Sequence, residues 1–291
     1  MTAAAIETRA LAKHFGAVKA VDGIDLDVQR GEVFGFLGPN GAGKTTTIRM
    51  LLGLLRPTGG TVSILGGDPS VPESRARVAY LPGDLEFDPK MTGWQHLELF
   101  GALRRTFDAT RARELCAQLD LDPSRPCGEL SKGNRQKVGI VQVFMRDCDL
   151  LVLDEPTSGL DPLQQQLFND LLAGAKARGA AIFLSSHVLP EVERVADRVG
   201  IIRAGRLVTV ATIDELRRGA RQRLTITVDP PATVDVGTVG GVLEGRVEGD
   251  DVHVLLEGPL QPVLDALAGH SVVRITSHDD DLDDLFLGYY R

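Results

Sequence analysis

Long apolar runs are missing from this chain of 291 residues: none approaches the roughly 18 residues needed to span a bilayer. If such a sequence serves a membrane, it does so from the water side. Cysteine is scarce. Cys116, Cys127 and Cys148 are scattered, odd in number and without a CxxC pair, which argues against a disulfide framework or a cysteine metal site and fits reduced cytosolic thiols. Positive charge is not in excess. The net charge of -8 argues against broad, sequence-independent nucleic-acid binding, and no nucleic-acid partner is expected. The first residues lack the basic-then-apolar pattern of a secretory leader. Long repeats and low-complexity tracts are lacking as well. The remaining composition, 43% hydrophobic and 25% charged, is ordinary for a globular chain long enough for more than one domain.

The most informative stretch is Gly38-Pro39-Asn40-Gly41-Ala42-Gly43-Lys44-Thr45-Thr46, which fits the phosphate-cradling pattern GxxxxGK[ST]. By residue frequencies alone the pattern arises in on the order of a few per cent of chains this long. Its context lowers that further, because an apolar strand-like segment, Val33 to Leu37, precedes it and a helical pattern to about Gly53 follows. Glycines let successive backbone N–H groups turn toward one anion, and the helix N-terminus adds partial positive charge. Lys44 would reach the outer phosphates, and the Thr45 hydroxyl would ligate Mg2+.

Along the rest of the chain, residues 6 to 30 alternate with period two, as antiparallel strands with one wet face do. A turn at residues 56–60 and a strand at 61–65 follow. Helical patterning runs from Thr92 to about Leu119, broken near Thr106-Phe107-Asp108, and resumes from about Ser131 to Met145. Trp94, Leu97 and Leu103 are expected on one packed face. Leu150 to Leu153 is a buried-type strand, followed by a helix at 163–178 and a strand at 181–184. A helix near 190–196 and a strand at 199–202 complete this part. Composition changes near Gly219. Strands at 224–228, 242–247, 252–256 and 272–275, with helices at 260–268 and 282–290, read as a small α+β domain over 219–291. The acidic run Asp279 to Asp284 fits a solvated helix N-terminus better than an oxygen cage for a cation.

Asp154-Glu155 directly follows the apolar strand, where a carboxylate is well placed to hold Mg2+ and a second acid could polarise water. An acid pair is weak evidence by itself; the phosphate loop upstream gives it weight. With these residues in hand, the chain resembles the ATP-binding-cassette ATPases over roughly residues 5 to 215. Leu130-Ser131-Lys132-Gly133-Asn134-Arg135-Gln136 is similar to that family's LSGGQ signature, Ser158-Gly159-Leu160-Asp161 to the loop after its acid pair, and Ser185-Ser186-His187 to its switch histidine. Phe15 falls where the family places an aromatic that stacks on adenine; the bland alternative is a core aromatic.

The resemblance implies an α/β fold: a P-loop NTPase cassette over residues 1–218, with a mixed-sheet core, an antiparallel β subdomain and an α-helical subdomain at about 85–148. It implies ATP and Mg2+ as ligands, with Gly38, Pro39, Asn40, Gly41, Ala42, Gly43, Lys44, Thr45 and Thr46 around the phosphates and Thr45 with Asp154 at the metal. Glu155 would be the general base, with His187 and Lys44 assisting. Ser131 and Gly133 would start a helix facing the γ-phosphate held by a second copy, and Asp161 would lie at the seam between the copies.

Departures from the family pattern leave options open. Gly83 stands where a metal-sensing Gln is usual; Asp84 substitutes, Glu86 substitutes, or the contact is weakened. Lys132 replaces a small residue of the signature, adding charge near the phosphates or pointing into water, and Asn134 replaces its Gln.

One phosphate loop per chain implies a partner, either a second copy or a homologous cassette. A separate transmembrane permease is implied too; residues 89–100 resemble the segment that precedes the helical subdomain in exporter-type cassettes and are expected to abut the permease's cytoplasmic helices. The ending, residues 283–291, resembles bacterial drug, antibiotic or lipid exporter cassettes, so the expected place is peripheral, on the cytoplasmic face of a bacterial membrane. Two other classes compete: a non-transport cassette ATPase, and a regulatory cassette with little turnover.

Overall fold

The computed structural model describes residues 4–104, 107–219, 221–232 and 235–278. The expected helix at 282–290, the acidic run and the exporter-like ending lie outside the described residues. The chain divides into two compact units, Met1–Val210 and Ala211–Arg291.

In the first unit, strands β1 (Ile6–Phe15) and β2 (Val18–Val28) pair antiparallel. Strand β3 (Val33–Leu37) is buried along its whole length and runs into the glycine loop and helix α1 (Lys44–Leu51). Strand β4 (Gly59–Ile64) returns to pair with β1, closing a three-stranded antiparallel sheet ordered β2-β1-β4. After strand β5 (Val78–Leu81) come helices α2 (Gly93–Leu103), α3 (Ala109–Gln118) and α4 (Lys132–Phe144), with α4 packed on both others. Thr92 and Gln95 cap α2 reciprocally, and Asp108 caps α3, which explains the break in helical patterning between them. Strand β6 (Leu150–Asp154), helix α5 (Pro162–Ala177), strand β7 (Ala181–Ser186), helix α6 (Leu189–Glu193), strand β8 (Arg198–Arg203) and strand β9 (Arg206–Thr212) complete the order.

The main sheet runs β5-β6-β7-β3-β8-β9, with parallel pairing from β5 through β8. A two-residue link can join neighbouring strands only as a hairpin, so β9 is antiparallel to β8 and the sheet is mixed. Buried parallel strands read as unbroken apolar runs, as β3, β6 and most of β7 do. Phe34 stacks on Phe183 at 5.9 Å between ring centroids, and Phe36 tilts against the same ring at 5.2 Å. The register aligns the strand ends: Leu37 lies opposite Ser186, and Asp154 opposite Ser185. Loops leaving β3, β6 and β7 therefore emerge together at one edge of the sheet.

Two expectations change. Sequence patterning assigns no element between Ile202 and Gly219, yet β9 occupies Arg206–Thr212. Its hairpin turn is Ala204-Gly205, both at positive φ (47° and 79°), without the Asn-Gly or Asp-Gly that would announce it. Leu97 is fully buried, but Leu103 is 72% exposed. Six residues at about 100° each carry Leu103 roughly 120° around the helix from Leu97, off the packed face.

The second unit comprises helix α7 (Ile213–Gly219), strands β10 (Arg221–Asp229), β11 (Val242–Glu248) and β12 (Asp251–Glu257), helix α8 (Gln261–Ala266) and strand β13 (Ser271–His278). The strands form an antiparallel sheet ordered β11-β12-β10-β13. Leu224, Ile226, Val228, Val252, Val254 and Leu256 alternate onto one face and pack with Val263 and Leu267 around α8, an α+β arrangement.

Candidate functional site

The glycine loop turns into α1 through Gly43, whose φ of 111° favours glycine and whose absent Cβ would otherwise sit 2.4 Å from the Ala20 carbonyl oxygen. The amides of Asn40, Gly41 and Gly43 donate to no protein acceptor among the described residues. Lys44 is 6% exposed, and its Nζ curls back over the loop, donating to Gly38 O at 2.7 Å and Pro39 O at 3.3 Å. Glu155 Oε1 lies 3.5 Å from the same ammonium. The next residue, Thr45, donates its hydroxyl to Asp154 Oδ2 at 2.9 Å, across 109 residues of sequence.

Asp154 ends β6 and is buried, so both of its carboxylate oxygens need donors. Thr45 supplies one and Ser185 Oγ the other, at 2.5 Å to Oδ1. Tyr80, half-buried on the neighbouring β5, has its phenol pushed up to about 12 by burial, with the nearby Asp154 charge adding to the effect. Glu155 follows in a left-handed conformation, φ 48°, a strain of about 1–3 kcal/mol for a residue with a side chain. The bond from its N–H to Ser185 O at 3.1 Å helps hold that geometry, which turns the carboxylate toward both Lys44 and His187. His187 Nδ1 is 3.3 Å from Glu155 Oε1, at the end of β7 and half exposed.

Lys44, Thr45, Asp154, Glu155 and His187 thus come together as the sequence expects. Ser131, Gly133, Asp161 and Phe15 have no bond to that cluster among the described residues. Ser131 is exposed at the N-cap of α4, its Oγ accepting from Asn134 N at 3.2 Å. Asp161 caps α5 by accepting from Gln164 N at 2.9 Å. Phe15 is 51% exposed at the end of β1, with Lys13 Nζ 5.1 Å from its ring centroid, so the core-aromatic alternative is set aside. Gly83 packs on the acid strand: a Cβ there would lie 3.2 Å from Asp154 O. Asp84 and Glu86 are both exposed.

Sequence reasoning assigned no role to several groups that hold the site. Ser185 was visible only as a neighbour of His187. Gln136, buried on α4, donates to Pro156 O at 2.7 Å, and Glu191 on α6 accepts from Thr157 Oγ1 at 2.7 Å. Both fasten the loop after Glu155; Gln136 closes the quoted signature run without a role of its own there, and Glu191 lies in no quoted motif.

The residues fit a nucleoside triphosphate with a divalent ion. Unclaimed loop amides, a helix N-terminus and a buried ammonium suit phosphate oxygens. A hydroxyl and a carboxylate oxygen within 2.9 Å of each other are the hard donors that Mg2+ takes when substrate phosphates complete its shell.

A family model for ABC transporters matches residues 21–158. The bacitracin transport ATP-binding protein BcrA of Bacillus licheniformis is 33% identical over 294 residues, covering 97% of this chain and 96% of that one. Nod factor export ATP-binding protein I of Burkholderia lata is 34% identical over 299 residues, covering 99% and 97%. A solved ATP-binding subunit of an ABC transporter superposes with a TM-score of 0.67 at 33% identity, covering 73% of this chain and 92% of that one.

Proposed function

Because the chain belongs to the ABC transporter family, as an ATP-binding subunit and ATPase of export-type systems, we propose that it pairs with a second cassette on ATP and drives a separate membrane permease. The observation that carries this reading is the joined cluster of Lys44, Thr45, Asp154, Glu155 and His187 at one sheet edge. Ser131 and Gly133 make no bond to that cluster among the described residues, which supports a second cassette, identical or homologous, as the source of the facing signature turn. No helix among the described residues is long and apolar enough to cross a membrane, which fits a membrane partner of separate sequence. Leu99 and Leu103, exposed on α2, are the residues we assign to that partner's cytoplasmic side.

In the proposed reaction, water attacks the γ-phosphorus, the bond to the bridging oxygen of ADP breaks, and Glu155 takes the proton from water. Lys44 and the loop amides stabilise charge on the phosphate oxygens, and His187 orients the Glu155 carboxylate through their shared contact. Thr45 and Asp154 would hold Mg2+, which supplies further charge neutralisation at the phosphates. Phe15, exposed and flat, would take the adenine face.

Phosphate release from the purified chain tests this. Glu155→Gln keeps ATP binding and lowers the rate by about 10²–10⁴-fold, the range for loss of a general base. Negligible release by the unaltered chain, with tight ATP binding and the permease present, would refute turnover and favour the regulatory alternative that the bare Gly83 leaves open.

A further inference from the structure

Lys132 has a protein partner. Its Nζ donates to Ser158 Oγ at 2.8 Å, so the first turn of α4 reaches the loop that follows Glu155. The two segments run close together: a Cβ on Gly133 would lie 2.6 Å from Gly159 O. The backbones at Gly133 and Gly159 therefore pass too closely for a side chain at position 133. Ser158 N in turn donates to Glu155 O at 3.2 Å, closing a turn that begins at the carboxylate residue itself. Among the described residues no carboxylate pairs with Lys132, so its charge is placed on a neutral hydroxyl.

We propose that Lys132 is a positioning residue for hydrolysis, holding the loop 156–160 through Ser158 so that Glu155 keeps its place beside Lys44 and His187. The proposal rests on the hydrolytic reading above and adds a residue to it. Lys132 is exposed, so the bond contributes little to global stability. Its effect lies in geometry, since Gln136 already pins the Pro156 end of the loop and Thr157 is tied to Glu191. The Ser158 side chain is left to Lys132. The ammonium has three donors and uses one here, so the tie forms without exhausting it.

A double-mutant cycle in the full chain tests this with two readouts. Lys132→Met and Ser158→Ala each lower kcat for phosphate release about fivefold, the scale of one ordinary solvent-exposed hydrogen bond, with KM for ATP unchanged. Lys132→Arg retains most of the rate. The double variant is no slower than either single one, because both remove the same contact. Amide hydrogen exchange over residues 156–161, measured without nucleotide, speeds up in each single variant and no further in the double. Additive losses in kcat, or unchanged exchange in Lys132→Met, overturn the proposal. An unaltered chain no faster than Glu155→Gln would sink the hydrolytic reading instead, and the exchange measurement would still decide whether Lys132 holds the loop.

Discussion

Replacing Ser185 by alanine tests how the acid strand is held. Asp154 is 4% exposed, and its Oδ1 accepts from Ser185 Oγ at 2.5 Å while Oδ2 accepts from Thr45 Oγ1 at 2.9 Å. Short O–H···O⁻ bonds are among the stronger hydrogen bonds in proteins. Deleting this donor leaves one oxygen of a buried carboxylate bare, at a cost of about 1.5–3 kcal/mol. For a unit the size of Met1–Val210, each kcal/mol moves the thermal midpoint by about 2–4 °C, so a fall of about 3–12 °C is expected by calorimetry. Glu155 loses one acceptor of its N–H, Ser185 Oγ at 3.2 Å, but should stay in place because the same N–H still reaches the Ser185 carbonyl at 3.1 Å. The main loss then falls on Asp154, and Mg2+ affinity of the nucleotide-loaded chain should weaken by about 10–100-fold, the usual effect of removing a partner behind a metal ligand. Isothermal titration of Mg2+ into protein with bound ATP reads that number. A midpoint within 1 °C of the unaltered chain (on the order of a few tenths of a kcal/mol) would refute the burial argument. A lowered midpoint with unchanged Mg2+ affinity would refute Asp154 as the metal-holding residue.

Phe15→Ala should leave the thermal midpoint essentially unmoved, because the ring is 51% exposed, and should weaken nucleotide binding about three- to tenfold, the scale of one aromatic stack. An unchanged dissociation constant for ATP by equilibrium titration would remove Phe15 from the adenine site. Tyr80, pushed up to about 12, should titrate later than an ordinary tyrosine in an absorbance titration. The sign follows: below pH 10 the folded and unfolded chains both keep the proton, and from about 10 to 12 only the unfolded one loses it, so stability declines across that window. Tyr80→Phe should flatten the decline measured by denaturant titration; an identical slope would disprove the assignment.

What could be read from sequence follows the reach of each interaction. Gly43, Lys44 and Thr45 act within one turn of chain, so their roles were visible as a local pattern. The pairing of Thr45 with Asp154 spans 109 residues; only the order of motifs placed it. β9 escaped because Ala204-Gly205 makes a hairpin turn without an Asn or Asp to mark it. Leu103 was misplaced because apolar identity was read without the helical angle. The ties of Gln136 to Pro156 and of Thr157 to Glu191 are ordinary polar residues whose partners are set only when α4, β6 and α6 pack. Lys132 is the sharpest case: its two sequence readings, charge near phosphates or a solvated face, both assumed a free side chain, and its ammonium instead donates to Ser158.

One carboxylate oxygen links binding to catalysis in this site. Lys44, buried, needs partners for its charge and finds two loop carbonyls and Glu155 Oε1. His187 Nδ1 shares that oxygen at 3.3 Å. A triphosphate in the loop would compete for Lys44 with oxygens of higher charge than a carbonyl carries, drawing the ammonium off Glu155. Oε1 is then left with His187 alone and with room to accept a hydrogen bond from water. On this reasoning the acid is occupied by the lysine until the phosphate claims it, so the proposed base becomes available only when there is a substrate to attack. The same competition gives Glu155→Gln a second signature beyond lost turnover. A neutral amide holds Lys44 less firmly and does not repel the γ-phosphate, so ATP should bind this variant more tightly than the unaltered chain. Weaker binding would show that Glu155 supports the ammonium rather than competing for it.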